Sequence, residues 1–410
     1  MQVAAALSHT DEGGVAAAEA ADAAGVRLAA LAADAPCDLA IVFVSPGHAD
    51  ALEDVAAAIE ARLEPGVLIG AVAQGVIGPG EEVESGPAVA VWAAALEGGW
   101  VQPFRAWTLR PSGGGIAVAG WPDTLPGDVT VVLADPHSFP AGEVARRIGE
   151  QRPGQPLVGG MVTGDDSRSR LVVDGRVHED GAVGVVLRDV DVDPIVSQGC
   201  RPIGEPFTVT SSVRDRVLEL GGEPATGRLD RVLAALDDHD RQLVGQGGLH
   251  LGVVVDEVQD AYRAGDFLVR PVLGVEQESG ALTIGDAVPV GRTVQFQVRD
   301  AASADADLAD RLATFGRSVG ALLFTCNGRG ARLFGRPDHD VAAVTTALGV
   351  DQAVVGAFCS GELGPIGRQS YLHGLSASVA VFGSMEYADD DPIDASETAD
   401  GDLDPPADGL

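Results

Sequence analysis

Three stretches of the chain share one alternation of apolar runs and polar turns. In each stretch a short apolar run ends in a small polar or proline-containing turn, and these first runs are Ile41–Gly47 (IVFVSPG), Val131–His137 (VVLADPH) and Leu322–Gly328 (LLFTCNG). Such runs are typical of strands that are buried on both faces. A segment of helical periodicity follows each run, most clearly over Ala51–Leu63, with Gly66 just past its end. The pattern predicts a strand, a turn and a helix in each copy.

A second apolar run completes each copy. The three second runs fit the pattern [IV]-G-[AG]-x-x-x-G, and they are Ile69–Gly75, Val158–Gly164 and Val355–Gly361. A weaker fourth copy is expected from Leu251–Glu257 to Leu273–Gly280. The two strands of such a β–turn–α–β unit are parallel, so the loops that follow them share one edge of the sheet, where ligands of open α/β sheets bind. The alternative is that the repeated glycines only serve tight turns.

Antiparallel signals lie between the repeats. Arg170–Arg188 and Thr283–Arg299 alternate apolar and polar residues around glycine-containing turns, which is typical of hairpins. We therefore predict a mixed α/β fold with two related lobes, built from repeated β–turn–α–β units plus antiparallel hairpins. The Gly- and Pro-rich segment Gly199–Pro206 indicates the boundary between a domain over residues 1–200 and a domain over residues 201–385. Residues 386–410, with ten acids and no base, are predicted to be a disordered acidic tail.

The charge and the cysteines narrow the classes of function. The 410-residue chain has a net charge of −34 and no lysine, so we expect it to bind neither nucleic acid nor an anionic membrane. The missing lysine excludes P-loop, kinase and pyridoxal phosphate chemistry. The four cysteines lack the spacing of a zinc site, and neither a signal peptide nor a long apolar span is evident. These features predict a cytoplasmic protein with reduced thiols and no metal site.

Several of these segments together resemble a known family. LLFTCNGRG, GAFCSGELGP (Gly356–Pro365) and YLHGLSASVAVF (Tyr371–Phe382) look like the carboxyl half of the FIST sensory domain. IGAVAQGVIGPGEEVESGPAVAVWAA, VVLADPHSFP and VGGMVTGDD resemble its amino half, and GCRPIGEPFTV is similar to the segment that joins the halves. The resemblance extends over about residues 30–383.

The resemblance implies a sensory module that binds a small ligand, with amino acids or their derivatives suggested for the family. Other members carry signalling output domains or an F-box, and one branch binds heme and senses nitric oxide. This chain shows no kinase, cyclase, methyl-accepting or F-box segment, so its output would pass through a separate signalling protein. We therefore expect an intracellular sensory protein without a resident cofactor. A heme-based nitric oxide sensor, a cysteine-dependent enzyme and a scaffold remain alternatives.

The candidate ligand-binding residues lie in the turns at the expected carboxyl edge. They are Cys326, Asn327, Gly328, Arg329, Gly330, Cys359, Ser360, Gly361, Glu362, His373 and Asp135. Asn327 is the only asparagine of the chain, and it suits either a left-handed turn or a ligand contact. Arg329 suits a ligand carboxylate or phosphate, and equally a salt bridge to a nearby acid.

The other candidates also have two interpretations each. Glu362 would hold a ligand ammonium or pair with Arg329, and the pair would form a clamp for a zwitterion. Asp135 would act similarly or simply start a turn. Cys326 and Cys359 are either reactive thiols or small buried residues. His373 would serve as a base for a cysteine nucleophile or as a ligand to heme iron.

Overall fold

The computed structural model describes residues 1–33, 35–112, 114–165, 168–258, 261–350 and 353–384; the predicted acidic tail lies outside these residues. The α-helices within them are α1 (Gly13–Leu31), α2 (Leu52–Leu63), α3 (Ala141–Gln151), α4 (Ala225–Ala235), α5 (Asp238–Leu243), α6 (Ala301–Leu312), α7 (Gly330–Phe334) and α8 (His339–Leu348). None of the described helices is both long enough and apolar enough to cross a membrane.

The strands fall into three consecutive parts of the chain. The first part contains β1 (Gln2–Ser8), β2 (Leu39–Val44), β3 (Val67–Val72), β4 (Val76–Gly78), β5 (Glu81–Val83), β6 (Val89–Ala95), β7 (Trp100–Leu109), β8 (Ala117–Ala119), β9 (Val129–Ala134), β10 (Leu157–Met161), β11 (Leu171–Val173), β12 (Arg176–His178), β13 (Ala182–Arg188) and β14 (Val192–Gln198). The second contains β15 (Cys200–Pro202), β16 (Phe207–Val213), β17 (Arg216–Leu220), β18 (Glu223–Pro224), β19 (Leu249–Val254), β20 (Phe267–Glu276), β21 (Ala281–Ile284) and β22 (Thr293–Arg299). The third contains β23 (Gly320–Cys326), β24 (Val354–Cys359), β25 (Gly361–Ile366), β26 (Gln369–His373) and β27 (Ser376–Phe382).

Three sheets repeat one strand order. They run β1-β6-β2-β3-β11-β12, β7-β13-β9-β10-β25-β26 and β14-β27-β23-β24-β4-β5, with β8 added outside β7. We call them units 1, 2 and 3. The parallel pair at the centre of each unit is β2 with β3, β9 with β10, or β23 with β24. The three predicted β–turn–α–β copies are therefore present, and the chain has the mixed α/β fold that its sequence predicts.

Each unit sends a hairpin into the sheet of another unit. The β4–β5 hairpin follows β3 of unit 1 and pairs with β24 of unit 3. The β25–β26 hairpin follows β24 and pairs with β10 of unit 2, while the β11–β12 hairpin follows β10 and pairs with β3 of unit 1. One apolar core joins the three sheets and includes Phe43, Val131 and Phe324. The repeats thus form three units around one core.

The second part of the chain forms a separate antiparallel sheet. Its strands follow the order β22-β16-β17-β21-β20-β19, and β19 pairs again with β22, which closes a barrel. The expected fourth copy is wrong, because its two runs form the antiparallel neighbours β19 and β20. The carboxyl-terminal half of β20 alternates half-buried and exposed residues, as a strand with one solvated face does. The chain enters this barrel at β15, beside the predicted boundary near residue 200; that division into domains stays a prediction.

The glycine at the second position of the repeated motif is a packing requirement. Gly70, Gly159 and Gly356 each lie on the second parallel strand of their unit. A Cβ added at these positions would lie 2.4, 1.9 and 1.7 Å, respectively, from the carbonyl oxygen of the paired residue on the first strand. No side chain fits there, so any substitution would separate the two strands.

Candidate functional site

The loops that follow the parallel strands of units 1 and 3 meet at a common rim. The Asn327 amide donates to the Cys359 carbonyl at 2.7 Å, and the Phe358 amide donates to the Gly75 carbonyl at 2.9 Å. A Cβ at Gly75 would lie only 2.7 Å from the Phe358 ring. The turn with the lone asparagine therefore lies beside the glycine that ends the repeat of unit 1.

Three cavities open along this rim, and we call them together the rim cleft. A cavity of about 190 Å³ is lined by Gln74, Gly75, Glu84, Asn327 and Phe358. A second cavity of about 430 Å³ shares Gln74 and Glu84 with it, and its lining includes Asp11, Gly47, His48 and Asp165. A third of about 290 Å³ shares Gly47 and Asp165 with the second, and its lining includes Arg168 and Arg170. The cleft thus contains loops from all three units.

The amide oxygen of Asn327 distinguishes the first of these cavities. This Oδ1 atom is buried and has no hydrogen-bond partner among the described residues. Asn327 is also not among the residues with positive φ, so the turn does not need the left-handed tolerance of asparagine. A buried carbonyl oxygen without a partner costs free energy, so a ligand N–H group would satisfy it. This favours the ligand-contact interpretation of Asn327.

The exchanged hairpin β4–β5 links the cleft to helices of unit 3. Glu84, just after β5, accepts the Ala331 amide of α7 at 2.7 Å. Glu82 accepts the Val341 amide in the first turn of α8 at 2.9 Å, and its own amide donates to the Asp338 carboxylate at 2.7 Å. The carboxylate of Glu82 thereby satisfies one of the free amides at the start of α8. Movement of the hairpin would therefore reach both helices.

Glu82 makes the stability of this contact depend on pH. Burial, with the nearby Asp340 carboxylate, raises the pKa of Glu82 from 4.5 to about 7. Because the folded pKa exceeds the unfolded one, the contribution of Glu82 to stability is complete below pH 4.5 and is lost as the pH rises towards 7.

We expect Glu82→Gln to remove this loss, since glutamine keeps the acceptor oxygen without the charge. The difference in melting temperature, variant minus wild type, should increase as the pH rises from about 4.5 to about 7. It should stay constant above about pH 7. Thermal melts across this range measure it, with the exposed Glu53→Gln as control. A difference that does not change with pH would contradict the assignment.

Arg329 lies inside the protein and not on the rim. Its side chain is fully buried, and Nε and Nη2 donate to the two carboxylate oxygens of Asp340 at 2.7 and 2.9 Å. Asp340 also accepts from the Thr325 hydroxyl at 2.6 Å. Burial alone would raise the pKa of Asp340, but the guanidinium of Arg329 lowers it below its ordinary value. Of the two interpretations of Arg329, the structure supports the salt bridge.

The expected clamp of Arg329 with Glu362 takes a different form. Glu362 lies on β25, is fully buried and accepts the Ser376 hydroxyl at 2.7 Å. Burial raises its pKa to about 8. The guanidinium pairs with Asp340, because the start of α8 brings that carboxylate beside it. Arg329 and Glu362 therefore support the rim from inside and do not reach the rim cleft.

The remaining residues of the Cys326–Gly330 loop have structural contacts. Gly328 accepts a hydrogen bond from Arg299 through its carbonyl oxygen. Gly330 begins α7 with a φ of 61°, a left-handed value that favours glycine. The second group of predicted residues lies where β24 passes into β25: Ser360 is exposed and its amide donates to the Met161 carbonyl at 2.9 Å, and Gly361 begins β25.

Cys326 and Cys359 are brought together, as paired residues at the ends of β23 and β24. Both are buried. Burial raises the pKa of Cys326 to about 11 and that of Cys359 well above its ordinary value. Because the thiolate is the nucleophilic form, these values favour the interpretation as small buried residues.

His373 and Asp135 lie within the sheets and turns of unit 2. His373 on β26 is buried, and its Nε2 atom donates to the Gly364 carbonyl at 3.0 Å. Burial lowers the pKa of this imidazole to about 4. Asp135 follows β9 and accepts the Ser169 hydroxyl at 2.7 Å. These contacts satisfy both side chains locally.

The contacts of His373 do not fit heme. Its Nε2 atom carries the proton that the Gly364 carbonyl accepts, so that atom has no free lone pair for iron. The Nδ1 atom keeps a lone pair, but the residue is only 5% exposed, so a porphyrin cannot approach it in this structure. Among the described residues, no group of three or more His, Cys, Asp or Glu side chains is arranged to hold a metal ion. The surroundings of His373 therefore do not provide a heme site.

Sequence reasoning did not single out several residues of the rim cleft. Gln74 immediately precedes the final glycine of the motif in unit 1, and His48 follows the first turn of that unit, so both positions carried a signal in the repeat. Glu84 and Asp11 carried none, because the hairpin exchange and the start of α1 bring them to the rim from outside the repeated runs.

Comparison with known families accounts for most of this architecture. The family model of the FIST N domain matches residues 38–223, and that of the FIST C domain matches residues 225–365. The chain belongs to the FIST family. FIST domains are sensory domains, which indicates a role in signal transduction. The FIST N match covers most of units 1 and 2 and enters the barrel, while the FIST C match covers the rest of the barrel and much of unit 3; β1, α1, β26 and β27 lie outside both matches. The β4–β5 and β25–β26 hairpins join these two FIST regions.

Two mycobacterial relatives are similar in sequence to this FIST protein over most of its length. An uncharacterized protein of Mycobacterium tuberculosis (strain ATCC 25618 / H37Rv) is 43% identical over 352 residues, which are 84% of this chain and 91% of the relative. An uncharacterized protein of Mycobacterium bovis (strain ATCC BAA-935 / AF2122/97) is 41% identical over 369 residues, which are 88% of this chain and 94% of the relative. The similarity therefore extends across all three units and the barrel.

Proposed function

We propose that this FIST protein is a cytoplasmic sensor that binds a small ligand in the rim cleft and signals through a separate output protein. The observation that carries the proposal is the buried, unpartnered Oδ1 atom of Asn327 in a cavity shared with Gln74 and Glu84. These three side chains come from units 1 and 3, so a ligand there would contact both halves of the FIST architecture.

The charges along the cleft support a ligand with a cationic amine and a separate anionic group. Asp11, Glu84 and Asp165 line the larger cavity next to Asn327, and a carboxylate or amide oxygen accepts hydrogen bonds from an ammonium. Arg168 and Arg170 line the cavity on the other side of Asp165. Arg170 already pairs with Asp50 at 3.2 Å, so a ligand carboxylate would bind there in competition with Asp50. An amino acid or a derivative of one has this combination of groups.

The contacts of Glu84 suggest how a bound ligand would be sensed. The carboxylate of Glu84 accepts the Ala331 amide of α7 through Oε1, and its other acceptor sites can bind a ligand ammonium, so a ligand that moves Glu84 also moves the start of α7. The same hairpin holds α8 through Glu82. We therefore expect ligand binding to shift α7 and α8, and the outer surface of unit 3 to carry the signal to the output protein.

A thermal-shift screen with amino acids, small peptides and organic acids tests the site. A ligand of the folded protein raises the melting temperature by mass action. We expect Asn327→Ala to lower the affinity of any such ligand about tenfold, since it removes one hydrogen bond of about 1.4 kcal/mol. Gln102→Ala, a half-buried amide on β7, should leave the shift unchanged. A ligand that stabilises Asn327→Ala as much as the wild type would place the binding site elsewhere.

A further inference from the structure

A second cavity between units 1 and 3 lies at the opposite edge of their sheets from the rim cleft. It measures about 480 Å³, and we call it the amino-edge groove. Its lining comes from the start of β1, the end of α1 and the residues that precede β23 and β24, and it includes Val3, Leu31, Val319 and Ala353. Leu31 is 56% exposed, so the groove presents apolar surface to solvent.

The charge at this groove is unusual for so acidic a protein. Arg27 is the one charged side chain in the described lining. The exposed side chain of Arg317 lies beside the groove, since a Cβ on the lining residue Gly349 would be 3.5 Å from its Nε atom. An apolar floor flanked by two guanidinium groups suits a segment that combines apolar and acidic residues.

The end of the described chain lies at the margin of the amino-edge groove. The Gly383 amide donates to the Asp191 carbonyl at 3.0 Å, which holds the chain here after β27. A Cβ on Gly383 would lie 2.9 Å from the side chain of Val319, a residue of the groove. Residues 385–410 follow directly after Ser384, with ten acids and no base. The first nine of them also include Met385, Tyr387 and Ile393.

We propose that the acidic segment 385–410 binds in the amino-edge groove of its own chain. The apolar side chains near its start would cover the apolar floor, and its carboxylates would lie beside Arg27 and Arg317. Covalent attachment at the margin of the groove gives the segment a millimolar effective concentration, so a weak interaction is enough to hold it. The groove and the rim cleft lie at opposite edges, so this proposal stands independently of the proposed ligand site.

Photo-cross-linking of the full chain tests the proposal. Leu31→p-benzoylphenylalanine places the probe in the groove, and Val213→p-benzoylphenylalanine places it on the barrel at a matched exposure of 57% against 56%. After irradiation and proteolysis, mass spectrometry identifies the attached peptides. We expect at least about fivefold more cross-linked peptide from residues 385–410 with the probe at position 31, because the segment is held there.

A second set of measurements tests whether Arg27 and Arg317 attract the acidic segment. The double substitution Arg27→Gln and Arg317→Gln, or about 1 M salt, should lower the yield at position 31 several-fold, because both weaken the attraction of the carboxylates. Melting curves show whether each variant is folded. Equal yields from positions 31 and 213 would overturn the proposal. Cross-links from position 31 to a second molecule, visible as doubled mass on a denaturing gel, would also overturn it and assign the groove to a copy of this chain.

Discussion

Replacing Arg329 by methionine is expected to lower the free energy of unfolding by about 3–5 kcal/mol, because it leaves a buried carboxylate without its partner. Arg329 and Asp340 are both fully buried, and two hydrogen bonds join them. The Asp340 carboxylate would keep the Thr325 hydroxyl and the His339 ring as hydrogen-bond partners but lose the guanidinium charge that compensates its desolvation. Urea unfolding of the variant and the wild type measures the difference.

Two further variants separate the buried pair from a general effect of losing an arginine. Arg147→Met removes an exposed arginine of α3 that pairs with Glu143, and it should cost less than about 1 kcal/mol. Arg329→Met combined with Asp340→Leu removes both buried charges, so it should recover part of the loss. An Arg329→Met variant as stable as Arg147→Met would contradict the buried pair.

Separating the chain after β14 is expected to abolish folding of the three-unit body in both fragments, while the barrel keeps its own core within residues 199–410. A fragment of residues 1–198 keeps the β4–β5 hairpin but lacks its partner β24, and it leaves the outer edge of β10 without β25. The shared core also loses the contribution of unit 3, which includes Phe324 and Phe382. Exposed edges and half a core favour aggregation over a stable domain.

The two parts should recover the fold when they are produced together. We expect circular dichroism and size-exclusion chromatography to show no cooperative thermal transition for residues 1–198 alone, no transition beyond that of the barrel for residues 199–410 alone, and a single transition for the co-expressed pair. A cooperative transition in the isolated 1–198 fragment, at a temperature near that of the full chain, would show that the hairpin exchange does not hold the halves together.

Local pattern predicted the repeated units because each one is encoded within a short segment. The apolar runs, their turns and the motif glycines all lie within consecutive residues, and sterics at Gly70 or Gly356 depend only on the neighbouring strand. The hairpin exchange was not predictable in this way. Pairing of β4 with β24 joins residues that are far apart in sequence, and alternation alone does not name the partner of an edge strand.

The candidate site was predictable to a similar extent. The position of Asn327 at the carboxyl edge follows from the parallel crossover, and the structure places it in a cavity there. Arg329 was expected at the rim because a Gly-Arg-Gly segment is typical of an exposed loop. In the structure, Asp340 at the start of α8 forms a salt bridge with the guanidinium inside the protein. Both residues are evident in the sequence, but their contact could not be predicted from it.

The lone asparagine offers a direct measurement at the proposed ligand site. Because Asn327 is the only asparagine of the chain, protein grown with 15N-labelled asparagine gives one backbone amide signal and one side-chain amide pair in its NMR spectrum. A ligand that raises the melting temperature should shift the side-chain pair with the same dissociation constant that the melting curves give. A ligand that stabilises the protein and leaves this pair unmoved at saturation would contradict binding in the rim cleft.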